Sequence, residues 1–63
     1  MMSQEIETRG ELVVTAACIV QRAQDMAKAA SLHDDHAVRV EAIQITEHIA
    51  AVLRYIVAHE VEP

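Results

Sequence analysis

The chain is expected to be all-α: two long helices folded back as an antiparallel hairpin, with two hairpins pairing into a four-helix bundle. Three observations carry this expectation. Two Ala-rich, helix-favouring runs occupy most of the sequence. The apolar rhythm breaks at one place in mid-chain, Ser31-Leu32-His33-Asp34-Asp35-His36. Each run carries more apolar residues than one neighbouring helix can cover, so a second hairpin is needed to bury the rest.

The first helix is expected from about residue 9 to about residue 30. Residues 1–8 read as polar and frayed, with Ile6 able to extend the helix backwards. Thr8 and Glu11 match a capping box, in which the hydroxyl accepts from the backbone and the carboxylate reaches back. Gly10 weakens a helix interior by about 1 kcal/mol, so a first-turn position suits it. The apolar stripe is Leu12, Ala16, Ile19, Ala23, Met26 and Ala30, spaced alternately four and three as in a coiled-coil seam. Val13, Val20 and Ala27 widen it, and Gln21, Arg22, Gln24, Asp25 and Lys28 form the polar side. Alanine at 16, 23 and 30 fits close helix packing, although alanine is also simply the best helix former.

The turn spans about residues 31–35. Ser31, Asp34 or Asp35 can cap the second helix, and their acidic groups suit its N-terminus. That helix is expected from about residue 36 to about residue 60. Its stripe is Val38, Ala42, Ile45, Ile49, Val52 and Ile56, with Leu53, Ile43, Ala50 and Val57 flanking and Val40 outside the arc. β-Branched residues lower intrinsic helicity, but the 3.6-residue period decides for helix. Pro63 and the acidic Glu60 and Glu62 close the sequence.

With 63 residues there is room for one domain, and a chain of that size leaves much of its surface in water. Cys18 is the only cysteine, so no disulfide can staple the fold within one chain. Phe and Trp are absent and Tyr55 is the sole aromatic, so the core falls to aliphatic side chains. Small chains of this kind are commonly completed by oligomerisation. A homodimer is therefore expected, with Leu12, Ala16, Ile19, Ala23, Met26, Val38, Ala42, Ile45, Ile49, Val52, Leu53 and Ile56 as its core and dimer residues.

Ten carboxylates against five Lys and Arg give a formal charge of −5. Nucleic-acid binding rests on phosphate neutralisation, and the basic residues here stand singly, so no nucleic-acid partner is expected. The acidic start does not resemble a secretory leader. No apolar run reaches the length of a membrane span. A cytoplasmic setting and no membrane association follow as expectations, and the lone cysteine fits a reducing compartment.

Catalytic patterns are absent from the sequence. Gly10 is the only glycine, which leaves no phosphate-binding loop. Ser3 and Ser31 are the only serines, and Ser31 fits a capping role better than a nucleophile's. Di-metal bundles use Glu-x-x-His pairs, whereas Glu41 and Glu47 are followed three residues later by Gln44 and Ala50. Clustered inward glutamates of the nucleotide-hydrolysing kind are missing from both stripes. No enzyme and no cofactor are expected. The single constellation worth weighing is His33-Asp34-Asp35-His36, whose imidazoles and carboxylates suit Zn²⁺. One turn supplies two nitrogens where a closed site wants four ligands, so a polar capping turn is the plainer reading. His33 and His36 remain the metal candidates. His48 is placed on the polar flank, His59 in the last turn where a cation suits the dipole, Cys18 as a buried or half-buried inert thiol, and Tyr55 at the rim with its hydroxyl in water.

In length and hairpin plan the chain is similar to the Rop family of plasmid RNA-binding proteins, dimeric four-helix bundles. That family binds RNA through a basic face with an aromatic residue; this first helix carries only Arg9, Arg22 and Lys28, and the chain has no Phe. The resemblance implies the bundle and not the RNA function. The run Thr15-Ala16-Ala17-Cys18-Ile19-Val20, with Ala23-Gln24-Asp25-Met26 and Ala29-Ala30, resembles a family of short bacterial two-helix proteins of unknown function. It covers about half the chain and implies a helical hairpin. The function expected is that of a small regulatory or adaptor protein that meets a protein partner. The alternative is a metal- or small-ligand-binding module built on the 33–36 turn.

Overall fold

A computed structural model describes residues 5–60. Among them lie two helices, α1 (Arg9–Ser31) and α2 (Asp35–His59), packed against each other as a hairpin, and no strand. The sequence-based boundaries lie within one residue of these, and the hairpin is as expected. Ser3, Glu62 and Pro63 lie outside the described residues.

Local chemistry starts and stops each helix. Thr8 is extended (φ −130°, ψ 161°) and its hydroxyl accepts the Glu11 N–H at 3.1 Å. The Glu11 carboxylate reaches back to accept the Glu7 N–H at 2.7 Å, so the box closes one residue further out than in its usual form. Ile6 does not extend α1. It lies before the cap in non-helical chain and is buried.

The turn is built by its backbone. The Asp34 N–H donates to the Ala29 carbonyl at 2.9 Å and the His33 N–H to the Ala30 carbonyl at 3.0 Å. This pair of bonds is the Schellman closure, which needs a left-handed residue just past the helix end. Here that residue is His33, at φ 59°. Asp34 then caps α2, its carboxylate accepting the Ala37 N–H at 3.2 Å. Of the three capping candidates, Asp34 therefore takes the position. Ser31 is the last residue of α1, and its hydroxyl donates to the Lys28 carbonyl at 2.8 Å.

A left-handed conformation costs an L-residue about 1–2 kcal/mol, most of which glycine avoids. Glycine gives part of this back through its greater freedom when unfolded. His33→Gly should therefore stabilise the fold by up to about 1 kcal/mol, a rise of about 4–8 °C in melting temperature for a domain this small. A lower melting point by circular dichroism would show instead that the imidazole holds the turn.

The helices meet along one seam. On α1 the half-buried or buried residues are Leu12, Thr15, Ile19, Arg22, Met26 and Ala29, spaced three and four. On α2 they include Val38, Glu41, Ile45, His48, Val52 and Tyr55, with the same spacing. Two contacts fix the antiparallel register: Arg22 Nη1 donates to Glu41 Oε1 at 3.0 Å, and the Arg9 guanidinium lies 5.9 Å from the Tyr55 ring centre. The same register sets Leu12 level with Val52, Ile19 with Ile45 and Met26 with Val38.

This seam differs from the expected stripe by one position in three places on each helix. Ala16, Ala23 and Ala30 are exposed, while Thr15, Arg22 and Ala29 take the seam. On α2, Ile49 and Ile56 are exposed and Ala42 is half-buried, while Glu41, His48 and Tyr55 face α1's side. Leu53 is exposed as well. Leu12, Ile19, Met26, Val38, Ile45 and Val52 lie in the seam as expected. The reason is geometric: a helix with one neighbour points one side of its apolar arc at that neighbour and leaves the other side bare.

Buried residues concentrate at the open end of the hairpin. Ile6, Ala51 and Tyr55 form the buried cluster, with Leu12 and Val52 packed against it. Ala51 is 1% exposed and Tyr55 8%. Tyr55 is thus a core residue and not a rim residue. His59 stacks on its ring with centroids 4.1 Å apart, and His59 Nδ1 lies 2.9 Å from the Tyr55 carbonyl oxygen.

Candidate functional site

The seam has two flanks, and they are not alike. One flank carries Glu11 and Cys18 on α1 and Gln44 and Ala51 on α2. Here the chain's own N-terminal segment crosses over, and Ile6 packs on Ala51 and Tyr55. Between that segment and Glu11, Val14 and Thr15 lies an open cleft of about 570 Å³.

On the other flank nothing among the described residues covers the surface. α1 presents Val13, Ala16, Val20, Ala23 and Ala27 there, and α2 presents Ala42, Thr46, Ile49, Leu53 and Ile56. In an antiparallel pair, the positions just after the second seam position of both helices come to the same side. The two sets therefore form one continuous face. Val13, Val20, Ile49, Leu53 and Ile56 are 40–61% exposed. Across this face stand Val and Ala on α1 and Ile and Leu on α2, with Arg39 at the turn end. A shallow hollow of about 400 Å³ lined by Arg39, Ala42, Ile43, Thr46 and Glu47 opens at its edge.

Such a face is unusual in chemistry as well as exposure. The seam already closed is partly polar: Thr15 and His48 share one level, and Arg22 and Glu41 another. The bare flank is more apolar than the packed seam. Scattered exposed apolar residues need no explanation, but a contiguous patch does.

The remaining candidates fall elsewhere. His33, Asp34, Asp35 and His36 are all exposed. His33 supplies the left-handed turn residue, and Asp34 the helix cap. No group of three or more His, Cys, Asp or Glu among the described residues is placed to hold a metal ion. Cys18 is exposed, where a buried or half-buried thiol was expected. His48 is half-buried in the seam, not solvated on a polar flank. Arg22 is engaged with Glu41, at side-chain exposures of 34% and 19%. An ion pair of this partly exposed kind adds about 1 kcal/mol at most.

No helix is long and apolar enough to cross a membrane among the described residues. No family model, curated protein or solved structure matches this chain.

Proposed function

We propose that the protein is a small homodimeric helical interaction module, two hairpins forming a four-helix bundle, whose acidic outer surface meets a protein partner in a regulatory or adaptor role in the cytoplasm. The observation that carries the reading is the continuous bare flank running along both helices. Its burial by a second copy gives the chain the core that a lone hairpin lacks.

Surface and shape support the same reading. The chain exposes 4642 Å², whereas a folded monomer of 7.0 kDa exposes about 4,000 Å². Its radius of gyration is 13.6 Å, against about 11 Å for a compact domain of this length. Both excesses are those of an elongated two-helix hairpin, a shape that leaves apolar surface for a second copy to bury. Burying a Val, Leu or Ile side chain contributes about 1.5–3 kcal/mol, and the half-exposed members of this flank retain a large part of that to gain.

The charge of −5 and the engagement of Arg22 and Arg9 within the fold argue against a phosphate backbone as the partner. At the turn, the Asp34 carboxylate is engaged in capping α2, and no group of three or more His, Cys, Asp or Glu among the described residues is placed to hold a metal ion. In an obligate dimer, folding and association are one equilibrium, so stability rises with concentration. Thermal unfolding followed by circular dichroism across a hundredfold range of protein concentration should show a rising midpoint. A midpoint independent of concentration, for a fully folded chain, would contradict the proposal.

A further inference from the structure

Granting the dimer just proposed, we infer that the second copy covers one flank only, that of Val13, Val20, Ile49 and Leu53, and leaves the Cys18 flank open. Both helices share one rotational offset between seam and apolar stripe. At 3.6 residues per turn, successive side chains are about 100° apart around a helix. On α1 the seam residues Leu12 and Thr15, repeated every seven, define the direction to α2. The most apolar stripe, Leu12 and Ala16 repeated likewise, points about 50° away from it. On α2 the seam of Val38 and Glu41 and the stripe of Val38 and Ala42 give the same offset, in the same sense. Because the helices are antiparallel, both offsets swing toward one flank.

A four-helix bundle requires such a rotation. Each helix sits at the corner of a square, with neighbours along two edges and the core along the diagonal. The core direction thus lies about 45° from each neighbour. The apolar stripes point along that diagonal, between the helix already packed and one that has to be supplied from the bare flank.

Size fits as well. From Leu12 to Ala30 the face runs about 28 Å at 1.5 Å per residue. The hairpin is 21 Å across, so full cover of this face on both copies would bury about 1,200 Å² in total, at the lower bound for a stable specific interface. On the opposite flank Ile6 already occupies the groove over Ala51 and Tyr55. Glu11 and Asp25 stand on that side too, which makes it a poor site for a second acidic copy.

Cys18 is a native reporter for that flank, and Val20→Cys or Leu53→Cys, each combined with Cys18→Ser, reports the other. Sedimentation equilibrium first establishes the dimer for each full-length variant. Maleimide labelling rates are then compared between the native dimer and the same chain unfolded in denaturant. The expected result is native Cys18 labelled equally fast in both, with the introduced thiol at 20 or 53 slowed roughly tenfold or more in the dimer. The two engineered sites guard against one of them perturbing the fold. A dimer that protects Cys18, or leaves both introduced thiols fully reactive, would overturn the choice of flank while the dimer stands. Absence of any dimer would overturn the underlying reading and this inference with it.

Discussion

Ile49→Asp is expected to abolish the dimer. In the single hairpin Ile49 is 43% exposed, so an aspartate there keeps its water and costs the monomer little. In the proposed bundle the same position would face the core along the diagonal, and each of the two carboxylates would be buried without a partner. An uncompensated buried charge costs about 3–5 kcal/mol, and the cost is met twice. At micromolar concentration the variant should run as a monomer by analytical ultracentrifugation and lose much of its helix signal. Val40→Asp is the matched control: Val40, like Ile49, is an exposed β-branched residue of α2, but it lies off the bare flank. Its change should stay within about 0.5 kcal/mol. An Ile49→Asp protein that stays dimeric with an unaltered melting point would refute the assignment of this flank.

Tyr55→Ala has the second largest expected effect, and it acts inside one copy. Removing the ring empties the space between Ile6, Ala51, Leu12 and Val52 and takes away the surface on which Arg9 and His59 rest. Truncating a buried aromatic costs about 3–5 kcal/mol, comparable to the whole stability of a chain this small. Unfolding should follow at ordinary temperature, or survive only at high protein concentration. Tyr55→Phe keeps the ring and should retain most of the stability, which separates packing from the hydroxyl. Equal melting points for the alanine variant and the parent would show that the cluster at the open end contributes nothing.

Much of the fold was legible in the sequence because it is set by local chemistry. The Thr8–Glu11 box, the capping Asp34 and the 3.6-residue period each act over a few residues, and each stands where the pattern places it. The seam was less legible for a physical reason. Periodicity locates the centre of an apolar arc, and in a bundle that centre points at the common core rather than at the nearest helix. Hence Leu12, Ile19, Met26, Val38, Ile45 and Val52, which belong to both the stripe and the seam, are the expected residues that the α1–α2 seam contains. Thr15, Arg22, Glu41 and His48 were missed because polar residues carry no hydrophobic signal. The Arg22–Glu41 pair shows how they are accommodated, each satisfying the other at the edge of the seam.

Tyr55 and Ile6 were misplaced for a different reason. Their burial depends on a non-helical segment folding back over the far end of α2, a contact between residues almost fifty apart in the chain. No local rule reports that. Cys18 was expected buried or half-buried from its small neighbours, but the side of α1 it occupies is one that α2 does not reach. The turn at His33 was recognised as a turn, while its left-handed residue was not. Glycine or asparagine is the usual sign of that geometry, and histidine gives none.

Sedimentation equilibrium of the unmodified protein at micromolar concentration tests the central claim most directly. Two hairpins sharing their bare flanks predict a single species of twice the 7.0 kDa chain mass, dissociating only where helix content also falls. A stable, fully helical species at the mass of one chain would contradict the account.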